Sequence, residues 1–445
     1  MVTPNVLILM TDQQSAEAMS CVLGRHHLYT PNMDLLASTG VVFNRAYTPN
    51  PLCAPARASL FTGRYPHQIG LQTNSVPAEP TRFPCLGTYF RDAGFDTAYF
   101  GKWHLQFPYA ETSLHGFDTV ADTLPANGLD LATPQLATSF IRTKRDKPFF
   151  LVASFNNPHN ICEWARGDRE LPDGDVGTPP PIDQCPPLRP NHAETQDEAT
   201  AIGLDRQAYQ AHPMFPVGEF GETQWRELTW AYYRMIELVD RRIGEVLDAL
   251  RDSGEYENTV ILFLSDHGEC QGAHGWNQKT VFYEESARVP YILNAPNLSP
   301  GESDSLVNFG VDTLPTLAEL TEVDLPPRLP GRSLVDAARC TCPDPSDYLV
   351  CQNKAAQGVG MSEAPFARDG RMVRTAMYKY CLYNVGPQYE SLFDLDQDPG
   401  EMQNLARVEA YSDILAAHRS HLSHFAQRHR DETATQMLSA CGYQS

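Results

Sequence analysis

The segment Leu52-Cys53-Ala54-Pro55-Ala56-Arg57-Ala58-Ser59-Leu60-Phe61-Thr62-Gly63-Arg64 holds a thiol in a place that could alter its chemistry. Pro55 and Gly63 bracket good helix formers, so Cys53 stands at the mouth of a helix whose free N–H groups attract negative charge. Arg57, four residues on, shares that helical face and adds a cation. The thiol position is therefore electropositive, unless Cys53 is simply one more buried free cysteine among the eleven in the chain. Two carboxylates stand just beyond apolar runs: Asp12 after Asn5 to Met10, and Asp266 after Val260 to Leu264. Converging at one sheet edge they repel unless a cation lies between them; either alone reads as a capping carboxylate. Lys102 and His104 follow a third run, Asp96 to Phe100, and Asn157 and His159 follow a fourth, Phe149 to Phe155.

These four runs, rich in β-branched and aromatic residues, read as buried strands of a mainly parallel sheet. Helical patterns lie between them. The clearest is Thr223 to Ser253, where Trp225, Leu228, Tyr232, Met235, Val239, Ile243, Val246 and Leu250 recur at three- or four-residue steps and Gly254 supplies a stop. Alternating strands and helices predict an α/β fold, a mixed and mainly parallel sheet flanked by helices. Ligands in such sheets bind beyond the carboxyl ends of the strands, where Asp12, Lys102, Asn157 and Asp266 fall. Periodicity fades from Leu171 to Val217, a stretch with nine of the 35 prolines, which reads as a surface loop or as a rim shaping a substrate pocket. Proline clusters at Pro326-Pro327 and Pro343 to Pro345 suggest a catalytic domain over residues 1–345 and a smaller C-terminal α+β domain over 346–445. Its expected elements include a strand at Tyr378 to Tyr383 and helical spacing from Val408 to Phe425.

Composition narrows the function. The 445 residues carry 34 Lys and Arg against 55 Asp and Glu, a net charge of −21, with no basic run to neutralise a nucleic-acid backbone. A small anionic substrate remains allowed, because it feels its pocket rather than the whole surface. No apolar run approaches the length of a membrane span. Met1 to Pro4 lead straight into the first strand without a signal-peptide pattern, which predicts a cytoplasmic protein. The cysteines form no pair of CxxC motifs and no disulfide framework, so reduced thiols are expected.

Cys53, Pro55, Arg57, Thr62 and Gly63 together resemble the C/S-x-P-x-R…T-G signature of the sulfatase family in the alkaline-phosphatase superfamily. The resemblance continues in chain order through Asn5 to Gln14, Thr30 to Ala37, Gly101-Lys102-Trp103-His104, Asn157-Pro158-His159, Ser265 to Glu269, Lys279 with Phe282 to Pro290, and Leu392 to Glu401. It implies an alkaline-phosphatase-like fold and a sulfuric-ester hydrolase whose cysteine is oxidised to formylglycine, which requires a formylglycine-generating enzyme during maturation. One hydroxyl of the hydrated aldehyde attacks sulfur and the other expels sulfate, so a hard displacement is divided into two steps. The resemblance further implies a divalent ion bound by Asp12, Gln13, Cys53 in its modified form, Asp266 and His267. Gln13 and His267 stand where the best-known arylsulfatases carry Asp and Asn, and so resemble choline-sulfatases and phosphonate monoester hydrolases. Carboxylates and a Gln carbonyl suit Ca²⁺, while an imidazole tilts the site toward Mn²⁺; Ca²⁺ is favoured.

By the same resemblance Lys102, Lys279 and Arg57 surround the leaving sulfate, and His104 and His159 share proton delivery to the leaving alcohol and positioning of the sulfate. The expected substrate is a small or oligomeric sulfate monoester, most of all a sulfated carbohydrate. The alternatives are a phosphonate monoester or phosphodiester hydrolase and a choline-sulfatase-like enzyme. Glu284, Glu285 and Arg288 read as a structural ion-pair cluster, and His274 and Trp276 as possible substrate contacts.

Overall fold

A computed structural model describes residues 3–74, 82–121, 129–210, 217–339, 347–355 and 368–443. Eight strands form the main sheet: β1 (Asn5–Asp12), β2 (Val41–Tyr47), β3 (Asp96–Gly101), β4 (Thr119–Ala121), β5 (Phe149–Pro158), β6 (Thr259–Ser265), β7 (Tyr291–Asn294) and β8 (Gly301–Asn308). Their spatial order is β4-β3-β5-β1-β6-β7-β2-β8. β7 runs antiparallel to both neighbours, and the remaining pairs are parallel.

Both faces of the sheet are covered, and the strand residues divide between them with the expected period of two. On β1, Leu7 and Leu9 join Ile261 and Phe263 of β6 beneath the helix Glu222–Asp252, through its Leu228, Tyr232, Met235 and Val239. Val6, Ile8 and Met10 face the other way and pack with Val260, Leu262 and Leu264 against Leu60 and Phe61 of the helix Cys53–Thr62 and Leu314 and Leu317 of the helix Phe309–Thr321. Each such side chain, fully buried, contributes about 1.5–3 kcal/mol. With β1 and β6 fixed from both sides, Asp12 and Asp266 have little freedom at the strand ends. Among the described residues, no helix is long and apolar enough to cross a membrane.

A second, antiparallel sheet of β9 (Leu349–Ala355), β10 (Arg368–Arg374), β11 (Tyr378–Tyr383) and β12 (Glu390–Asp394) has the order β12-β11-β10-β9. The helix Ser412–His429 packs on it through Leu415, Leu422 and Phe425. The expected boundary near residue 345, with Pro343 to Pro345, lies outside the described residues. The stretch expected to be irregular from Leu171 to Val217 contains a helix, Thr200–Gln210, that buries Ala201, Ile202, Ala208 and Tyr209. Its pattern is hidden in the sequence because Gly203, Asp205 and Arg206 interrupt the apolar spacing, and the last two are themselves buried.

Candidate active site

Cys53 is the first residue of its helix, and its Sγ lies 3.1 Å from Lys279 Nζ, 3.1 Å from His267 Nε2 and 3.8 Å from Asp12 Oδ1. Burial and Asp12 push the thiol pKa up, but Lys279, His267 and Lys102 outweigh them and hold it well below the usual thiol range. The electropositive surroundings expected of this position are present, supplied mainly by side chains far away in sequence.

Arg57 is completely buried behind the two carboxylates. Its Nε donates to Asp266 Oδ2 (2.8 Å), Nη2 to Asp12 Oδ2 (2.9 Å), and Nη1 to Ser154 Oγ (2.8 Å) and the Lys102 carbonyl (3.0 Å). Lys102 Nζ adds a second contact to Asp12 Oδ2 at 2.8 Å and donates to Asn156 Oδ1. Opposite charge at this range favours ionised carboxylates. Burial raises Asp12, but Lys102, His159 and Arg57 hold it well below its ordinary value. Asp266 is pushed up to about 6 by burial and by Asp12, against His267 and Arg57.

The Oδ2 atoms are thus held by cations, while the Oδ1 atoms turn to the other side. Asp266 Oδ1 accepts the backbone N–H groups of Gln13 (3.1 Å) and His267 (2.9 Å). His267 Nδ1 lies 3.0 Å from the Gly268 carbonyl, and Nε2 lies 3.7 Å from Asp266 Oδ1 and 3.9 Å from Asp12 Oδ1. Burial lowers its pKa, but Asp266 and Cys53 outweigh that and raise it, and once the ring is neutral with its proton on Nδ1 the Nε2 lone pair faces the carboxylates. Ligand atoms of Asp12, Cys53, Asp266 and His267 all lie within 4.8 Å of one another, all buried. Two buried carboxylate oxygens and an imidazole lone pair facing one point form a donor set that fits a divalent cation. Gln13 adjoins it: Lys279 Nζ donates to its Oε1 at 2.7 Å, and its Nε2 donates to Glu269 Oε2 at 2.6 Å.

His159, at the end of β5, lies in the same charge field. Burial, Lys102 and Lys279 lower its pKa, against a hydrogen bond with Cys53 and the charge of Asp12. His104 is partly exposed with φ 46°, and its buried Nδ1 has no hydrogen-bond partner among the described residues. Contacts or close electrostatic coupling therefore join Asp12, Gln13, Cys53, Arg57, Lys102, His159, Asp266, His267 and Lys279, while His104 makes no hydrogen bond or ion pair with them among the described residues. Sequence reasoning missed Ser154, Asn156 and Glu269. The available signal for Ser154 was a polar side chain inside an otherwise apolar strand.

His274 does not face this site. It is buried, stacks on Tyr283 at 3.6 Å between ring centroids, and has its pKa lowered to about 3 by burial and by Arg206, Lys379 and Arg189. Its ring groups with Glu285 and Glu401, and the Asn191 amide nitrogen already bridges two of the three, 2.8 Å from Glu285 Oε1 and 3.3 Å from His274 Nε2. Trp276 is buried against Tyr209, with its indole N–H directed to the Lys279 carbonyl.

A family model described as Sulfatase matches residues 4–323, and one described as N-sulphoglucosamine sulphohydrolase, C-terminal, matches residues 272–428. The chain is 31% identical to a Delta 4,5-hexuronate-2-O-sulfatase of Bacteroides thetaiotaomicron, over 96% of this chain and 90% of that protein. It is 28% identical to a choline-sulfatase of Rhizobium meliloti, over 93% and 86%. Among solved structures, a 2-O GAG sulfatase superposes with a TM-score of 0.82 at 29% identity, covering 97% of this chain and 94% of that one.

Proposed function

We propose, from the premise that the chain belongs to the sulfatase family and is a sulfuric-ester hydrolase, that it removes sulfate from a small or oligomeric carbohydrate, using a formylglycine made from Cys53 and a divalent ion. The observation that carries this reading is the convergence on the Cys53 side chain of Lys279, His267 and the free oxygen of Asp12. Asp12, Gln13, Asp266, His267 and the modified residue 53 would hold the ion, with Ca²⁺ favoured and Mn²⁺ second. When present, the ion supplies positive charge to the sulfate oxygens and the formylglycine supplies a hydrated-aldehyde oxygen as nucleophile.

The chain's own residues do the rest. Lys279, beside Cys53, and Lys102, on Asp12, would bring ammonium charge to a bound sulfate, and in this buried setting that charge is little screened by water. Arg57 holds the two carboxylates in register from behind. His159 or His104, in its protonated form, would deliver a proton to the leaving oxygen, and the lowering of the His159 pKa by burial, Lys102 and Lys279 makes its imidazolium the readier donor.

The carbohydrate class is supported by the hexuronate-2-O-sulfatase and 2-O GAG sulfatase relatives. A choline ester is the second reading, favoured by the Gln13 and His267 pair and by the choline-sulfatase relative. The test is sulfate release from a 2-O-sulfated unsaturated uronyl disaccharide and from choline sulfate, beside hydrolysis of an aryl phosphonate monoester. The disaccharide is expected to have the highest kcat/KM. A higher value for choline sulfate or for the phosphonate overturns the carbohydrate assignment.

A further inference from the structure

Glu269 has its carboxylate buried beside the site, and its two oxygens are spent differently. Oε1 accepts the backbone N–H groups of Gln271 and Gln278, which ties down the loop that carries Lys279. Among the described residues Oε2 accepts one proton only, from Gln13 Nε2 at 2.6 Å. A carboxylate is an acceptor at both oxygens, whereas the Gln13 amide has a donor end and an acceptor end. Glu269 therefore decides which way the Gln13 amide points. The donor end must face Glu269, so Oε1 faces Lys279 Nζ, which itself lies 3.1 Å from Cys53 Sγ in the cluster of Asp12, Cys53, Asp266 and His267. The Gln13 backbone is committed as well, with φ 73° and its N–H on Asp266 Oδ1, which fixes the point from which the side chain leaves.

We infer that Glu269 is a positioning residue that sets the polarity of the Gln13 amide, so that a carbonyl oxygen and not an NH₂ group is presented to the divalent ion and to Lys279. The inference rests on the metal reading above.

Replacing Glu269 by Gln keeps size and shape but breaks this logic. If the oxygen of the introduced amide keeps the two backbone N–H groups, its NH₂ meets the NH₂ of Gln13. If Gln13 then flips, its own NH₂ meets the Lys279 ammonium and the ion. If the introduced amide itself flips, its NH₂ meets the two backbone N–H groups. Each arrangement leaves donor against donor, and buried donors without acceptors are costly. The exchange Gln13→Glu in the same chain removes the conflict. The NH₂ introduced by Glu269→Gln then donates to one oxygen of the new carboxylate, and the other oxygen stays facing Lys279 and the ion. Because Gln13→Glu by itself adds an anionic oxygen beside the ion, the double variant is also read against Gln13→Glu alone, in which two carboxylates face each other; a residue that merely fills space would leave those two equal.

The experiment is titration of metal-stripped full-length protein with Ca²⁺ alone and with Mn²⁺ alone, read by calorimetry. Wild type and Asp266→Asn come first: uptake of one ion by wild type and its loss in Asp266→Asn establish the site. No ion-dependent difference between these two overturns the metal reading itself, and this inference with it. With the site established, Glu269→Gln is expected to bind about 10–100-fold more weakly, and Gln13→Glu/Glu269→Gln to recover most of that loss. Unchanged affinity in Glu269→Gln, or a double variant no better than the single one, overturns the role of Glu269 alone. Should Glu269→Gln fail to fold, Gln13→Glu, which sets two carboxylates against each other, is compared with the double variant: tighter binding by the double variant supports the inference, and equal or weaker binding overturns it.

Discussion

Arg57→Ala removes a guanidinium that has no solvent exposure and sits 2.8 and 2.9 Å from two carboxylates that are equally buried. Of those carboxylates, Asp12 keeps Lys102 at 2.8 Å as a cation partner on the same oxygen, while Asp266 loses the cation on Oδ2. Breaking a buried pair by deleting one partner costs about 3–5 kcal/mol. With an unfolding entropy of about 2.1 cal/mol/K per residue, 445 residues give about 0.9 kcal/mol/K. The midpoint of thermal unfolding should then fall by about 3–5 °C in chelator. Saturating Ca²⁺ should shrink that fall, because an ion held by Asp12 and Asp266 would supply part of the missing charge. Turnover measured well below the lowered midpoint should still drop about 10–100-fold or more, since the carboxylates are no longer held in register. Arg57→Lys retains charge without the fork that reaches both carboxylates, and should fall between. The assay is differential scanning calorimetry with and without Ca²⁺, alongside aryl-sulfate hydrolysis. A midpoint loss that is the same in chelator and in Ca²⁺, or turnover that falls no further than the folded fraction, would refute the idea that Arg57 braces a metal-binding carboxylate pair.

Lys279→Met should leave the far-ultraviolet circular dichroism unchanged and reduce turnover about 100–1000-fold, because the buried ammonium beside Cys53 is lost; a loss below tenfold sinks its assigned part in charge stabilisation. A second test concerns the ion-pair cluster between the two sheets, where Lys379 Nζ lies 2.8 Å from both Glu284 and Glu401. Burial, with help from Glu284 and Glu285, pushes Glu401 up to about 7 from 4.5 despite Lys379. Its folded pKa exceeds its unfolded one, so its contribution to stability is full below pH 4.5 and lost as pH rises toward 7, while Glu284, held down at about 2, titrates below that window. Glu401→Gln is insensitive to pH, so its stability relative to wild type should improve by about 1–3 kcal/mol between pH 4.5 and 8. A constant gap in urea unfolding across that range contradicts the shift.

The carboxyl ends of β1, β3, β5 and β6 were legible because buried parallel strands read as unbroken apolar runs, and whatever polar residue follows is forced to the ligand edge. Asp12, Lys102 and Asp266 were found that way, with Asn157 beside them, whereas His159 came from the resemblance to the family. The helix start at Cys53 was legible from Pro55 and Gly63, the latter the left-handed cap at φ 63°. What the pattern could not carry is pairing across the chain. Gln13 and Glu269 are 256 residues apart, and nothing local to either announces an amide with a fixed polarity. Arg57 was legible as a cation near Cys53, yet its burial behind both carboxylates depends on Ser154 and the Lys102 carbonyl, which only the folded sheet brings together. The helix Thr200–Gln210 was hidden because its buried face includes Asp205 and Arg206, residue types that periodicity assigns to solvent.

The most direct test of the account is aryl-sulfate turnover by wild type and Cys53→Ala, with the mass of the tryptic peptide Ala46–Arg57 measured on the same wild-type preparation. The account predicts formylglycine at position 53 in the active wild type and no turnover in Cys53→Ala. Full sulfate release by Cys53→Ala, or by wild type whose residue 53 is entirely unmodified cysteine, would contradict it.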